Sequence, residues 1–259
     1  MILLRAILVA VLLTASLPLR AGEIPLDQRR SGYSFMAPDT QKIQDDETAN
    51  PGMLWVLDGQ ALWNKKDGTA AKSCADCHGD GSETMKAVAA RYPAFDTRLG
   101  APVDLEQRIN LERERHQGAQ PFTYESPDLL ALTAFVAEQS RGTAIAAGDD
   151  PRLKPFIEKG NVLFMQRQGQ LNLACASCHD DNWDKHLAGS AITQGQPTGY
   201  PVYRLEWQTL GSLQRRVRGC LYGIRARPYE YGAPELVELE LYLMSRARGM
   251  KMESPAVRP

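Results

Sequence analysis

Neither sign of charge predominates in this chain of 259 residues, where 30 Lys and Arg stand against 31 Asp and Glu. That balance gives nucleic-acid binding no support. Long apolar runs are scarce too. Ala6 to Leu17 is interrupted by Thr14 and Ser16 and falls short of the roughly 20 apolar residues that cross a bilayer. No later segment approaches that length, so no membrane span is expected. Cysteine is limited to five residues, an odd number, which in an exported chain leaves one thiol over.

The short apolar run has a different use. Met1 to Arg5 gives it a positive start and Leu19-Arg20-Ala21 a cleavage site before Gly22. Residues 1–21 therefore read as an export signal, and the remainder as a soluble periplasmic protein. Losing Arg5 and Arg20 brings the net charge to −3. About 238 residues remain, enough for two domains of roughly 100 residues each, and domains that small bury little surface alone.

Four of the five cysteines fall in two pentapeptides set 101 residues apart, Cys74-Ala75-Asp76-Cys77-His78 and Cys175-Ala176-Ser177-Cys178-His179. Cys-x-x-Cys-His is the attachment signature of haem c. Two thiols add to the vinyl groups of one porphyrin, and the adjoining imidazole reaches the iron. A zinc site asks for four ligands converging on one ion, whereas here each Cys pair carries its own His. Two covalently bound haem c groups are expected, with Cys74, Cys77, Cys175 and Cys178 as thioether donors and His78 and His179 as axial ligands.

The same offset carries Gly59, Leu62, Trp63 and Gly68 onto Gly160, Leu163, Phe164 and Gly169, so the unit is duplicated. In each copy a Gly-x-x-Leu-aromatic segment precedes the haem motif, as in a helix whose Gly admits a second helix at close approach. The partner helices begin at Pro127-Asp128 and Pro234-Glu235, with Pro at the first helical position and a carboxylate near the helix dipole. The expected fold is all-α, two tandem cytochrome c-like domains related by internal duplication. They span 51–145 and 146–259, after a polar arm over 22–50 that packs on the domains or on a partner. A breaker-rich run over 141–155 serves as the linker.

The duplication also locates the far side of each iron. Leu105 to Glu112 aligns with Leu213 to Cys220, which makes Cys220 the expected distal ligand of the second haem. Arg204, Arg215, Arg216, Arg218, Arg225 and Arg227 surround it in sequence, with Glu206 the only acid, a setting that favours thiolate. Arginine forks also orient a dianion in a way that Lys does not. In the first copy Glu112 stands at the place of Cys220 and is a poor iron ligand. His116, one turn on, is the expected distal ligand of the first haem, with Met85 as rival. His186 follows its motif too closely to fold back.

Arg216-Val217-Arg218-Gly219-Cys220 and the tail from Glu238 to Pro259 resemble the SoxA family, the diheme cytochrome subunits of the sulfur-oxidising SoxAX complex. The resemblance covers essentially the whole mature chain. It implies an L-cysteine S-thiosulfotransferase that joins thiosulfate to a cysteine of a SoxYZ-type sulfur carrier, with electrons leaving to a cytochrome c. It also implies a SoxX-type monohaem cytochrome as partner, Cys220 carried as a persulfide that is both haem ligand and active-site sulfur, and Arg216 in contact with the anionic substrate. Glu112 departs from the family pattern, in which a distal Cys often stands there. Three other readings are a plain diheme electron carrier, which predicts a distal Met and no anion site, a diheme peroxidase, which predicts an open iron position, and a thiosulfate dehydrogenase, which predicts tetrathionate without any carrier protein.

Overall fold

The computed structural model describes residues 24–259; the expected export signal over 1–21 lies outside them. The first half contains α1 Pro38–Asp45, α2 Gly52–Asn64, α3 Ala75–His78, α4 Gly81–Thr84, β1 Ala94–Asp96, β2 Ala101–Val103, α5 Leu105–Glu112 and α6 Pro127–Glu138. The second contains α7 Lys154–Met165, α8 Cys175–His179, β3 His186–Leu187, β4 Ser190–Ala191, β5 Val202–Arg204, β6 Thr209–Gly211, α9 Leu213–Gly223, α10 Pro234–Arg246 and β7 Ala256–Arg258. Two haem-motif helices, α3 and α8, thus hold equivalent places in a repeated order.

Helices dominate, but the all-α expectation misses three small sheets. The strands are two or three residues long, too short to show period-two alternation. The antiparallel hairpins recur: Ala94 pairs with Val103 as Val202 pairs with Gly211. Each hairpin feeds a capped helix. Asp104 accepts from the Gln107 backbone N–H while Gln107 accepts from the Asp104 N–H, the reciprocal capping box. Ser212 accepts from the Arg215 N–H at 3.0 Å.

The two helix crossings show why glycine is placed where it is. A side chain at Gly59 would overlap the Ala131 carbonyl of α6, and one at Gly160 would overlap the Glu238 carbonyl of α10. Main chain meets main chain in both places, so only a residue without Cβ keeps the helices at this separation. The aromatic that follows then fills the crossing. Trp63 packs on Phe135 at 5.6 Å between ring centroids and Phe164 on Tyr242 at 5.3 Å.

The two halves share material. After α10 the chain returns to the first half, where Gly142 N–H donates to Met252 O and Ile145 N–H to Met250 O. Met244, Ala247 and Met252 belong to the same apolar cluster as Trp63 and Phe135. The run over 141–155 is therefore tied down by the tail. β7 adds to β5 in parallel, and the N-terminal arm packs against it: Gln44 accepts from the Val257 N–H at 3.1 Å, and Asn50 donates to the Pro255 carbonyl at 3.0 Å.

Candidate functional site

In the second half, α8 carries Cys175, Cys178 and His179 within a turn and a half. The C-terminal end of that helix is anchored by Arg246 of α10, which reaches Asp180 at 2.6 Å. His179 Nδ1 lies 2.7 Å from the Thr193 carbonyl. In the tautomer where Nδ1 donates, Nε2 is left free as a ligand, the arrangement that fixes metal-binding imidazoles. Gly195, at φ +72°, passes close over the same ring.

Cys220 of α9 comes to this histidine from another element. Burial works against its ionisation, but a hydrogen bond with His179 and the guanidiniums of Arg216 and Arg204 outweigh it, so the thiol pKa is lowered. The neighbouring thiols move the other way. Burial, with Cys220 nearby, pushes Cys175 up to about 11 and also raises Cys178. One sulfur of the three is thus made easier to ionise while the other two are made harder.

Two of the six arginines gathered by sequence act on that sulfur. Arg216 is solvent-exposed, and Cys220 is the main reason its pKa is raised. Arg204, on β5, is held by Glu206 at 3.0 Å and by the Pro259 carbonyl at 2.8 Å. Tyr200 joins them: burial raises its pKa while Arg216 opposes that. The other four arginines face elsewhere. Arg215 lies over Trp207 at 4.3 Å and near Glu125 at 3.7 Å. Arg218 lies over Tyr231 at 4.4 Å, and Arg225 and Arg227 are exposed. Spacing along α9 explains the division, since Arg216 and Cys220 are four apart and share a face. Arg204 is far off in sequence, and only the β5–β6 hairpin brings it in.

In the first half, α3 presents Cys77 and His78 beside Cys74. His78 packs against Trp63 at 5.7 Å, whose indole Nε1 donates to Gly79 O at 3.0 Å. Burial raises the pKa of Cys74, and Gln117 Nε2 approaches its sulfur at 3.9 Å. The distal side is less complete than in the second half. His116 is exposed and lies 3.5 Å from Glu112, and among the described residues no hydrogen bond or ring contact joins it to His78. Met85 packs against the cluster that contains Trp63. His186 is exposed on β3.

Each motif has the donor set of a haem c, two thiols one turn apart and an imidazole next to the second. At the second motif the Cys220 sulfur stands by that imidazole as well. Among the described residues no group of three or more His, Cys, Asp or Glu gathers around one point, as a zinc site needs.

Comparison with known proteins agrees with this duplicated arrangement. The family model "SoxA/TsdA, cytochrome c domain" matches residues 58–145 and again 159–252. The L-cysteine S-thiosulfotransferase subunit SoxA of Pseudaminobacter salicylatoxidans is 40% identical over 235 residues, covering 90% of this chain and 82% of the relative. The same subunit of Rhodovulum sulfidophilum is 39% identical, with 90% and 81% covered. A crystal structure of SoxXA from P. pantotrophus superposes with a TM-score of 0.86 at 31% identity, covering 89% of this chain and 87% of that one. Matched twice by the domain model and aligned over nine-tenths of its length with these subunits, the chain belongs to the SoxA family.

Proposed function

We propose that this protein is a periplasmic diheme cytochrome c acting as an L-cysteine S-thiosulfotransferase. It conjugates thiosulfate to a cysteine of a SoxYZ-type carrier and passes two electrons to a cytochrome c, working as a heterodimer with a SoxX-type monohaem cytochrome. The observation that carries the reading is the sulfur of Cys220, which sits against His179 with Arg216 and Arg204 beside it.

The proposed domains run over 51–145 and 146–259 behind the arm over 22–50. In the first, Cys74, Cys77 and His78 hold one haem c; in the second, Cys175, Cys178 and His179 hold the other, with Cys220 as its distal ligand. His116 is the proposed distal ligand of the first haem, ahead of Glu112 and Met85. When bound, each haem takes up one electron at a time.

The chain's own residues supply the rest. Arg216 and Arg204 bind the sulfonate end of thiosulfate and orient its outer sulfur, because two fixed forks hold a dianion more directionally than ammonium groups do. Thr193 holds His179 in one tautomer, which keeps the imidazole from rotating away from the site. The outer sulfur of thiosulfate bonds to the terminal sulfur of the Cys220 persulfide, releasing two electrons. The carrier thiol then loses its proton and attacks that outer sulfur, which moves to the carrier as its thiosulfonate while the bond to Cys220 breaks and the persulfide is restored.

The test is Cys220→Met in the complete complex. The variant is expected to keep both haems and lose conjugate formation, read as the mass of the carrier protein after reaction with thiosulfate. Undiminished conjugate formation refutes the role of Cys220. Tetrathionate formed without any carrier identifies a thiosulfate dehydrogenase instead.

A further inference from the structure

A pocket of about 40 Å³, partly open to solvent, lies on the seam between the two halves, with room for at least one water. Equivalent residues of the duplicated unit line it from both sides. Tyr92 precedes the first hairpin as Tyr200 precedes the second, and both border the space. The acids do not follow this symmetry. Glu106 of α5 stands where α9 has Gln214, and Glu240 of α10 stands where α6 has Thr133. Each half therefore contributes one carboxyl at a position where the other half is neutral, making a single pair.

The pair has no counter-charge. Glu106 is 8% exposed, lines the cavity, and has its own backbone N–H, not a cation or another side chain, as hydrogen-bond donor. Glu240 lines the same cavity and has only Gln214 Nε2 at 3.5 Å. The groups that face them from the packed elements are Asp104, Tyr124 and Glu125. Asp104 is fully buried and accepts from Gln107 N–H, Tyr124 and Gln214. The nearest cations are engaged elsewhere, Arg108 with Asp96 and Glu112, and Arg215 with Glu125. Burial and the neighbouring acids raise the pKa values of Glu106 and Glu240 well above the usual carboxylate range. Three crowded carboxyls, two of them buried and Glu240 half-buried, resist full ionisation without a cation, because uncompensated charge in such surroundings favours the protonated form.

We propose that Glu106 and Glu240 form a proton-binding site on the seam, whose affinity for a proton rises when an electron arrives at the second haem and falls when it leaves. Tyr200 provides the physical link, since it borders the cavity and also lies beside Arg216 and Cys220. The balance is simple. Ferric iron gains one electron from the thiosulfate–thiol oxidation, one O–H bond forms between a carboxylate oxygen and a solvent proton, and no other bond changes. The electron half of this inference rests on the two-haem reading, whereas the proton half does not.

Two measurements on the holoprotein test it. Infrared difference spectra in light and heavy water are expected to show a protonated carboxyl band at neutral pH that shifts on deuteration and is lost in both Glu106→Gln and Glu240→Gln. Redox titration between about pH 5 and pH 9 is expected to show the second haem's midpoint falling with pH. The limit is a tenfold change per pH unit, about 59 mV for a one-electron couple, and the slope flattens in both variants. Gln is the natural residue at the equivalent position 214 and keeps the shape of Glu, so the packing is retained. Absence of the carboxyl band, or a midpoint independent of pH in the unmutated protein, overturns the proposal whether or not the variants fold. A slope that survives both substitutions belongs to the haem propionates and overturns it as well. Loss of the second haem's absorbance in the unmutated protein instead marks failure of the two-haem reading, and leaves the infrared result to decide the proton site.

Discussion

Removing the guanidinium at position 216 tests the anion site most sharply. Arg216 and Arg204 are the two arginines that act on the Cys220 sulfur, so thiosulfate held there accepts charge-assisted hydrogen bonds from both. Each such bond contributes about 1.5–3 kcal/mol. Arg216→Ala removes one contribution, and at about 1.4 kcal/mol per tenfold change the expected fall in kcat/KM for thiosulfate is roughly 10- to 150-fold. Arg216→Lys keeps the charge and loses the fork, so its loss is expected to be smaller, on the order of tenfold by the same conversion. The sulfonate charge does not change during the reaction, and removing a contact made equally in ground and transition states raises KM while leaving kcat alone. The loss is therefore expected in KM. Initial rates of carrier modification, followed by mass spectrometry over a range of thiosulfate concentrations, give both constants. Arg215→Ala serves as the control, because that side chain lies over Trp207 and pairs with Glu125 instead; its kcat/KM is expected to stay within about twofold, as for a surface charge. An Arg216→Ala enzyme with unchanged KM, or an Arg215→Ala enzyme equally impaired, refutes the reasoning.

Two further predictions concern the scaffold. Gly59→Ala and Gly160→Ala each force a methyl against a main-chain carbonyl. Overpacking of about 3 kcal/mol, less about 1 kcal/mol of improved helix propensity, leaves a net loss of roughly 2 kcal/mol. Thermal melts are expected to fall by about 4–8 °C in both; an unchanged melting temperature in either contradicts the close crossing. Asp96 has a side chain only 3% exposed and binds Arg108 at 2.7 Å and Arg115 at 3.2 Å. Burial opposes its ionisation, but backbone N–H groups and these guanidiniums hold its carboxyl well below the usual range. A depressed folded-state value means the stabilisation is complete above the unfolded value of about 3.9 and is lost as pH falls below it. Asp96→Asn is expected to cost about 3 kcal/mol at neutral pH, with the gap in melting temperature narrowing below about pH 3.9; a gap that is constant with pH refutes the assignment.

The parts of this molecule legible from sequence are those repeated in it. Two Cys-x-x-Cys-His motifs and two helix glycines lie 101 residues apart and two Pro-acid helix starts 107 apart, and each fixes a local geometry by itself. The alignment of Glu112 with Cys220 likewise marks the sulfur that lies beside His179. What sequence hid depends on long-range closure. Arg204 and Arg215 are equally basic in the sequence and both lie over Trp207, but the β5–β6 hairpin brings the first to the sulfur while the second turns to Glu125. The tail's return onto residues 142–145 leaves no periodic trace. Glu106 and Glu240 read as ordinary polar positions on helices, and only the packing of one half on the other encloses them. Neither Arg204 nor these carboxyls carries a local signal.

The most direct test of the account is the low-temperature electron paramagnetic resonance spectrum of the oxidised holoprotein. If the Cys220 sulfur caps the second haem, the spectrum contains a thiolate-ligated low-spin species that Cys220→Met removes while the signal of the first haem stays in place. A spectrum with only bis-imidazole or imidazole–thioether species, or one that Cys220→Met leaves unchanged, contradicts the central assignment.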